Sequence, residues 1–407
     1  MQEHNTSQAV RFSDLGISTS ILNVLEKLNL ETPTPIQSKA IPSALDGNDI
    51  IGIAQTGTGK TFAFGIPMLE RIGKTKGNGL VLLPTRELAL QVDENLQKLG
   101  RQLGLRTASL IGGEPIGKQV KQIEANPHII VATPGRLIDH LNNRKTLSLR
   151  NVNTLVLDEA DMMFDMGFIP QVEEILSQVP KERQTMLFSA TMPATIVRLI
   201  NKHMKLPLTI EVAPAGTTAE RVDQEVYVVN KEDRFNQLTK MLDEYNGSVL
   251  IFTRTKHGAK ALTRNIDKLG FGVAEIHSNR SFEQRKAALG GFKSGKYRIL
   301  VATDIAARGI DVNDIELVVN FDLPDSTEDY VHRIGRTARA GKKGKAISFA
   351  LPTQWKDISD IEKLIKKDLP LKEFAQLIKP AAQPKASLYG RMGGARPTAF
   401  RRGGRRR

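Results

Sequence analysis

Two successive series of short apolar runs, each run separated from the next by a longer amphipathic stretch, occupy most of this chain. In the first series the runs are DIIGIA (49–54), LVLLP (80–84), HIIVAT (128–133), NTLVLDEAD (153–161) and QTMLFSAT (184–191). In the second they are SVLIFT (248–253), VAEIHS (273–278), RILVATD (298–304) and ELVVNF (316–321). Helical periodicity lies between them, as in 87–104, 256–270 and 282–295. A near-continuous apolar strand alternating with an amphipathic helix suits a parallel sheet covered on both faces, because each parallel connection has to cross over through a helix. The pattern predicts an α/β protein with two tandem domains. Ligands of such sheets bind at the carboxyl ends of the strands.

The segment EVAPAGTTAERV (211–222) between the series has no core pattern and reads as a linker. The expected organisation is a first domain over 1–212, a linker over 213–221, a second domain over 222–378 and a basic tail over 379–407. That tail is Gly, Arg and Pro with few large apolar residues, so it is expected to be disordered. It also concentrates charge. Of the formal net charge of +14, the nine cations of the tail, with no Asp or Glu among them, carry +9 and leave +5 for the rest. Such a distribution calls for a polyanionic partner. The chain has no cysteine, which excludes disulfides, thiolate metal sites and thiol nucleophiles and fits a reducing compartment. No apolar run approaches the roughly 18 residues that a bilayer requires, and the start, MQEHNTSQAV, lacks a secretory pattern. A cytoplasmic protein with no membrane partner is the expectation.

IAQTGTGKT (53–61) follows an apolar run and opens a helix, the context of a phosphate-binding loop. Glycines at 57 and 59 let backbone N–H groups turn inward around phosphate oxygens. Lys60 would reach the terminal phosphates and the Thr61 hydroxyl would ligate Mg²⁺. Ala54 stands where the general pattern has its first glycine. DEAD (158–161) closes another apolar run. Taken alone, an acidic cluster there is more often a helix cap. Beside a phosphate loop it reads as the second half of a nucleotide site, with Asp158 on the metal and Glu159 on the attacking water.

HRIGRTARAG (332–341) holds one histidine and three arginines within eight residues, with no acid among them. On a helix His332, Arg336 and Arg339 would share a stripe from which Arg333 points away. The plain reading is a solvated helix face. The sharper one is a set of arginines aimed at a phosphate. The second series has no phosphate loop of its own, so that phosphate would be held by the first domain, across a cleft whose closure gates hydrolysis.

In order, TPTPIQ, AQTGTGKT, PTREL, the glycines at 112–113, TPGR, DEAD, SAT, IFTRT, VATDIAARGID and HRIGRTAR make the chain resemble the DEAD-box ATP-dependent RNA helicases of superfamily 2. The resemblance runs from about Phe12 to about Phe374 and is greatest to the bacterial RhlE-type group. It implies two RecA-like domains, RNA as partner, ATP and Mg²⁺ as cofactors, and RNA-stimulated hydrolysis that opens short duplexes locally or remodels RNA–protein complexes. ATP would be bound by Ala54, Gln55, Thr56, Gly57, Thr58, Gly59, Lys60 and Thr61, with Gln37 reading adenine through its carboxamide, Phe12 packing by the base and Asp311 on the ribose. Ser189 and Thr191 would couple the nucleotide to strand separation. RNA would be held by Pro84, Thr85, Arg86, Gly112, Gly113, Thr133, Pro134, Gly135 and Arg136 in the first domain, and by Arg254, Arg285, Thr303 and Asp304 in the second. These groups suit phosphates and 2′-hydroxyls rather than base edges, which implies little sequence preference.

Three positions depart from the family pattern. Leu30 stands where an aromatic is usual, Phe282 where a glutamine is usual, and Ala338 where a glycine is usual. Alanine suits a helix, so no loss is expected at 338, whereas Phe282 is expected to forgo a contact to the RNA backbone. A monomer is expected, and ribosomal particles or the RNA-decay machinery are compatible partners. A DNA translocase and a non-catalytic, ATP-dependent RNA clamp are the competing readings.

Overall fold

The computed structural model describes residues 10–55, 57–212, 222–307, 315–338 and 344–373. They form two parallel seven-stranded sheets. The first contains β1 (Ile50–Ile53), β2 (Asn78–Leu82), β3 (Thr107–Leu110), β4 (Ile129–Ala132), β5 (Val152–Asp158), β6 (Gln184–Ser189) and β7 (Leu208–Glu211). The second contains β8 (Val222–Val228), β9 (Val249–Phe252), β10 (Val273–Ile276), β11 (Ile299–Ala302), β12 (Leu317–Asn320), β13 (Gly344–Ala350) and β14 (Leu371–Glu373). The strand orders are β3-β4-β2-β5-β6-β1-β7 and β10-β11-β9-β12-β13-β8-β14. Counted from the first strand of each sheet, these are the same order. The two domains are one topology used twice.

The central strands are buried along their whole length, as the apolar runs require: β4 and β9 are IIVA and VLIF with every residue inside. Each sheet carries an apolar cluster on either face. Five strands lie outside the predicted runs. Of these, β7 and β14 are edge strands, and most of β7 faces solvent, so no apolar run marks them. β8 alternates buried and half-exposed positions and reads as surface by composition.

Helix starts follow local chemistry. Thr85 Oγ1 accepts from Leu88 N at 3.3 Å and opens the helix Arg86–Gly100. Ser281 Oγ accepts from Gln284 N at 3.2 Å and opens Phe282–Lys293. Proline occupies the first turn of Pro35–Leu45 and Pro134–Ile138. No helix among the described residues is long and apolar enough to cross a membrane.

The connection that leaves β8 enters the helix Arg234–Glu244, and Arg234, which is buried, meets Asp322, just past β12, at 2.8 Å. The linker over 213–221 and the tail over 379–407 fall outside the described residues.

Candidate functional site

The loop after β1 turns through left-handed backbone at Gly57 (φ 85°) and Gly59 (φ 93°), a conformation that a side chain would strain. At Gly59 there is no room for one either, since a Cβ would sit 2.5 Å from Gln37 Nε2 and 2.9 Å from Thr34 Oγ1. Gln37 is pinned in that place. Its amide nitrogen donates to Gly59 O at 3.0 Å, and its oxygen accepts from Thr34 N at 2.9 Å. One amide hydrogen and one oxygen lone pair remain for a base. Thr58 Oγ1 donates to Gln55 O at 2.8 Å and tightens the same loop.

Lys60 opens the helix Lys60–Thr75 and is buried. Its Nζ lies 2.7 Å from Glu159 Oε1 and 3.8 Å from Asp158 Oδ1. Burial opposes the lysine charge, but the two carboxylates outweigh it and raise the pKa. Burial likewise pushes the Asp158 carboxyl well above the usual carboxylate range, with Lys60 pulling against it. Glu159 takes a left-handed φ of 55°, a conformation that costs a non-glycine residue about 1–3 kcal/mol and is held where the surroundings over-determine it. A pocket of about 230 Å³ lies between Gly59, Lys60 and Thr61 on one side and Asp158 and Glu159 on another; Gln91 and Asn95 of the helix Arg86–Gly100 form a further wall.

Asp161, the last acid of the cluster, joins this site to the loop after β6. Its Oδ2 accepts from Ala190 N at 3.0 Å, Thr191 N at 2.9 Å and Thr191 Oγ1 at 3.2 Å. Ser189 Oγ accepts from Asp161 N at 3.1 Å and donates to Thr191 O at 2.7 Å. Ser189, Ala190 and Thr191 are thus fastened to the acid cluster by five hydrogen bonds through Asp161 and each other. Asp161 was not singled out from sequence, although its place in the acidic run was the available signal.

At the strand ends of β2, β3 and β4, Pro84 and Thr85 are buried and Arg86 lies over the backbone of Gly112 and Gly113. Gly113 has φ 82°, and any side chain there would run into the Arg86 guanidinium. Thr133 precedes the short helix Pro134–Ile138, on which Gly135 is exposed, and Arg136 reaches back to Glu114 O at 3.3 Å. The second domain adds Arg285, whose NH1 is 3.1 Å from Glu87 Oε1. The pair is a charge contact rather than an aligned hydrogen bond, since Glu87 Oε1 and Arg285 Nε have no hydrogen-bond partner. Burial first, and then the charge of Arg285, lower the Arg86 pKa, with Glu87 opposing and Arg136 adding. Arg86 therefore feels two further arginines and one glutamate at the junction.

Several expectations need correction. Phe282 does more than vacate a contact: it is 4% exposed and belongs to the apolar cluster of the first domain, within 3.1 Å of where a Cβ on Gly113 would stand. Phe12 is buried in that same cluster with Leu30 packed beside it, so its ring serves the core and offers no open face to a base. The stripe on HRIGRTARAG is interrupted. The helix Thr327–Ile334 ends at Gly335, so Arg336 lies in the following turn, buried, with its Nε donating to His332 O at 3.3 Å. Ala338 is not helical but left-handed, with φ 56°, the conformation for which glycine is the unstrained residue. Asp304 is paired with Arg333, with contacts of 2.5 and 2.7 Å to its two oxygens. Arg254 is half-exposed and bonded to Leu323 O and Asp325, and Thr303 N donates to Ile276 O. Thr56, Asp311 and Arg339 lie outside the described residues.

A family model for DEAD/DEAH box helicases matches residues 34–199, and one for the helicase conserved C-terminal domain matches 231–341. The DEAD-box ATP-dependent RNA helicase CshA of Bacillus cereus is 45% identical over 361 residues, spanning 88% of this chain and 69% of that one. CshA of Bacillus subtilis is 43% identical over 363 residues, with 88% and 73% covered. This chain is a DEAD-box ATP-dependent RNA helicase. The expected RhlE-type grouping finds no support, because these relatives are named CshA. Among solved helicase structures, Mss116p bound to ssRNA and AMP-PNP is 29% identical with a TM-score of 0.83, covering 92% of this chain and 82% of that one. S. cerevisiae Dbp5 bound to RNA and ADP BeF3 is 30% identical with a TM-score of 0.79, covering 89% and 95%. A DEAD box protein from Methanococcus jannaschii is 41% identical with a TM-score of 0.52, covering 90% and 99%.

Proposed function

We propose that this helicase grips the RNA backbone at the junction of its two domains, hydrolyses ATP there with Mg²⁺, and uses the cycle to part short duplexes or remodel RNA–protein complexes without reading sequence. The observation that carries the proposal is the junction itself: Arg86 lies beside the Gly112–Gly113 backbone, and Arg136 of its own domain, Arg285 of the other and Glu87 all act on its charge. Guanidinium groups and exposed backbone are chemistry for phosphates. The arrangement of the two domains supports the reading. The Methanococcus jannaschii protein is more similar in sequence yet superposes less well than the two proteins described as RNA-bound.

The donor set at the loop fits Mg²⁺. Asp158 and the Thr61 hydroxyl supply hard oxygen ligands, and among the described residues no cluster of three or more acidic, His or Cys side chains forms a cage. Mg²⁺ is held in just this way, by one or two protein oxygens with phosphates and waters completing its shell. Bound there, it would neutralise charge on the phosphates. Lys60 is held by Glu159 and Asp158, so phosphates that draw Lys60 toward them free Glu159 to accept a proton from water. Arg336, with Arg339 and His332, completes the site from the second domain and makes hydrolysis depend on the junction being formed. The tail over 379–407 acts as an electrostatic tether for RNA, and its removal lowers affinity and flattens the salt dependence. The protein works as a cytoplasmic monomer on ribosomal particles or with the RNA-decay machinery.

The test is ATP hydrolysis with single-stranded RNA, with DNA, and with neither. RNA is expected to stimulate strongly and DNA weakly, and Glu159→Gln is expected to abolish turnover. Equal stimulation by DNA, or a Glu159→Gln protein as fast as the parent, would overturn the proposal.

A further inference from the structure

The helix Arg86–Gly100 turns one stripe toward the phosphate loop: Leu88, Gln91, Val92 and Asn95 at i, i+3, i+4 and i+7. Leu88 and Val92 are buried in the core cluster, as a stripe that packs against a neighbouring helix should be. Gln91 and Asn95 break its apolar character. A half-buried carboxamide on a packing face is costly unless something bonds to it. On the same helix Gln97 is bonded within the protein, its Nε2 donating to Asp93 Oδ2 at 3.0 Å and to Thr107 Oγ1 at 3.1 Å. Among the described residues no side-chain hydrogen bond of this kind reaches Gln91 or Asn95. Both instead line the pocket that Thr61, Asp158 and Glu159 share.

We infer that Gln91 and Asn95 are positioning residues that accept hydrogen bonds from the water molecules around the cation held at Thr61 and Asp158. The chemistry suits the residue type. A divalent cation of this class keeps several of its waters, and those waters present their hydrogens outward, where a carboxamide oxygen accepts them. A neutral acceptor does this without altering the charge balance that Lys60, Asp158 and Glu159 already set. The helix is anchored for the task, because its first turn carries Arg86 and Glu87 at the domain junction. The pocket wall and the junction are one rigid element, so closure at one end orients acceptors at the other.

The inference rests on the reading of this pocket as an ATP·Mg²⁺ site. Its test is the affinity of a fluorescent ADP, measured in EDTA and across a Mg²⁺ titration, for the full chain and for Gln91→Leu, Asn95→Leu and Gln91→Glu. The leucine variants are expected to need about tenfold more Mg²⁺ to reach the tight-binding state, as expected for the loss of a hydrogen bond to a strongly polarised water, with affinity in EDTA unchanged. Gln91→Glu keeps the acceptor oxygens and is expected to need no more Mg²⁺ than the parent. A Mg²⁺ midpoint that leucine leaves in place, or a loss of equal size in EDTA, would overturn the inference. A parent whose ADP affinity ignores Mg²⁺ would overturn the metal site on which it stands.

Discussion

Arg285 of the second domain stands 3.1 Å from Glu87 of the first, and one turn earlier on the same helix Phe282 is buried in the first domain's core. The two contacts differ in kind. The charge pair acts beside Arg86 and weakens as salt rises. The aromatic contact removes apolar surface from water and is not screened by salt. Phe282 is where the family usually has glutamine, so this junction has an apolar component where a polar one is usual.

Phe282→Gln should loosen the junction. Placing a carboxamide against the Gly113 backbone and the core costs about 1–3 kcal/mol. The RNA concentration for half-maximal ATPase stimulation is expected to rise roughly tenfold or more. RNA titrations of ATPase activity measure this, and an unmoved midpoint would show that Phe282 contributes nothing to closure.

Ala338→Gly should stabilise the second domain. The left-handed φ of 56° is strained for alanine and free for glycine. The gain is expected to be about 1 kcal/mol, less the larger entropy glycine brings to the unfolded chain. Urea unfolding monitored by the single tryptophan, Trp355, which lies in this domain, reads the shift in midpoint.

Arg333, which helical periodicity turns away from the stripe of His332 and Arg336, is one of the largest fully buried side chains. It bonds Asp304, donates to Asn320 Oδ1 at 3.2 Å and to Asp322 O at 2.6 Å, and lies 5.0 Å over the Phe252 ring. Arg333→Ala leaves the Asp304 carboxylate without its partner and is expected to cost about 3–5 kcal/mol. The same urea measurement should show the second domain unfolding first, while the first domain still binds nucleotide.

A pH effect is expected at His140, which is buried and bonded to Thr146 Oγ1 at 2.9 Å and to Gln119 Oε1 at 3.1 Å. Burial, and next the charge of Arg136, lower its pKa; Asp139 opposes and Arg144 adds to the lowering. Between the lowered value and the unfolded value near 6.5, the unfolded chain binds a proton that the native one refuses. Stability attributable to this residue is therefore full above that window and falls as the pH drops through it. Chemical unfolding at several pH values should show this slope for the first domain, and His140→Phe should flatten it.

The nucleotide loop and the acid cluster were legible because their chemistry is local. Glycines, a lysine and carboxylates at strand ends sit where the strand periodicity places them. What escaped depended on tertiary placement. The stripe through His332 and Arg336 assumed a continuous helix, but the chain leaves the helix at Gly335. Ala338 was judged as a helix residue, whereas its backbone is a turn. Gln91 and Asn95 carry no signal in the sequence, because periodicity alone does not say which side of an amphipathic helix faces a pocket. The edge strands β7 and β14 gave no apolar signal for want of a second buried face.

The shared strand order gives Lys60 a counterpart. In both sheets a cation opens the helix after the first strand and meets an acid at the end of the fifth, Lys60 with Glu159 in one and Arg234 with Asp322 in the other. The lysine is a flexible point charge beside a glycine turn and can change partners. The guanidinium is a planar fork, permanently ionised, reached through Val229–Asp233 with no glycine to open a cradle. The carboxy-terminal half is thus a ligand site sealed by its own side chains, and calorimetric titration should count one nucleotide per polypeptide.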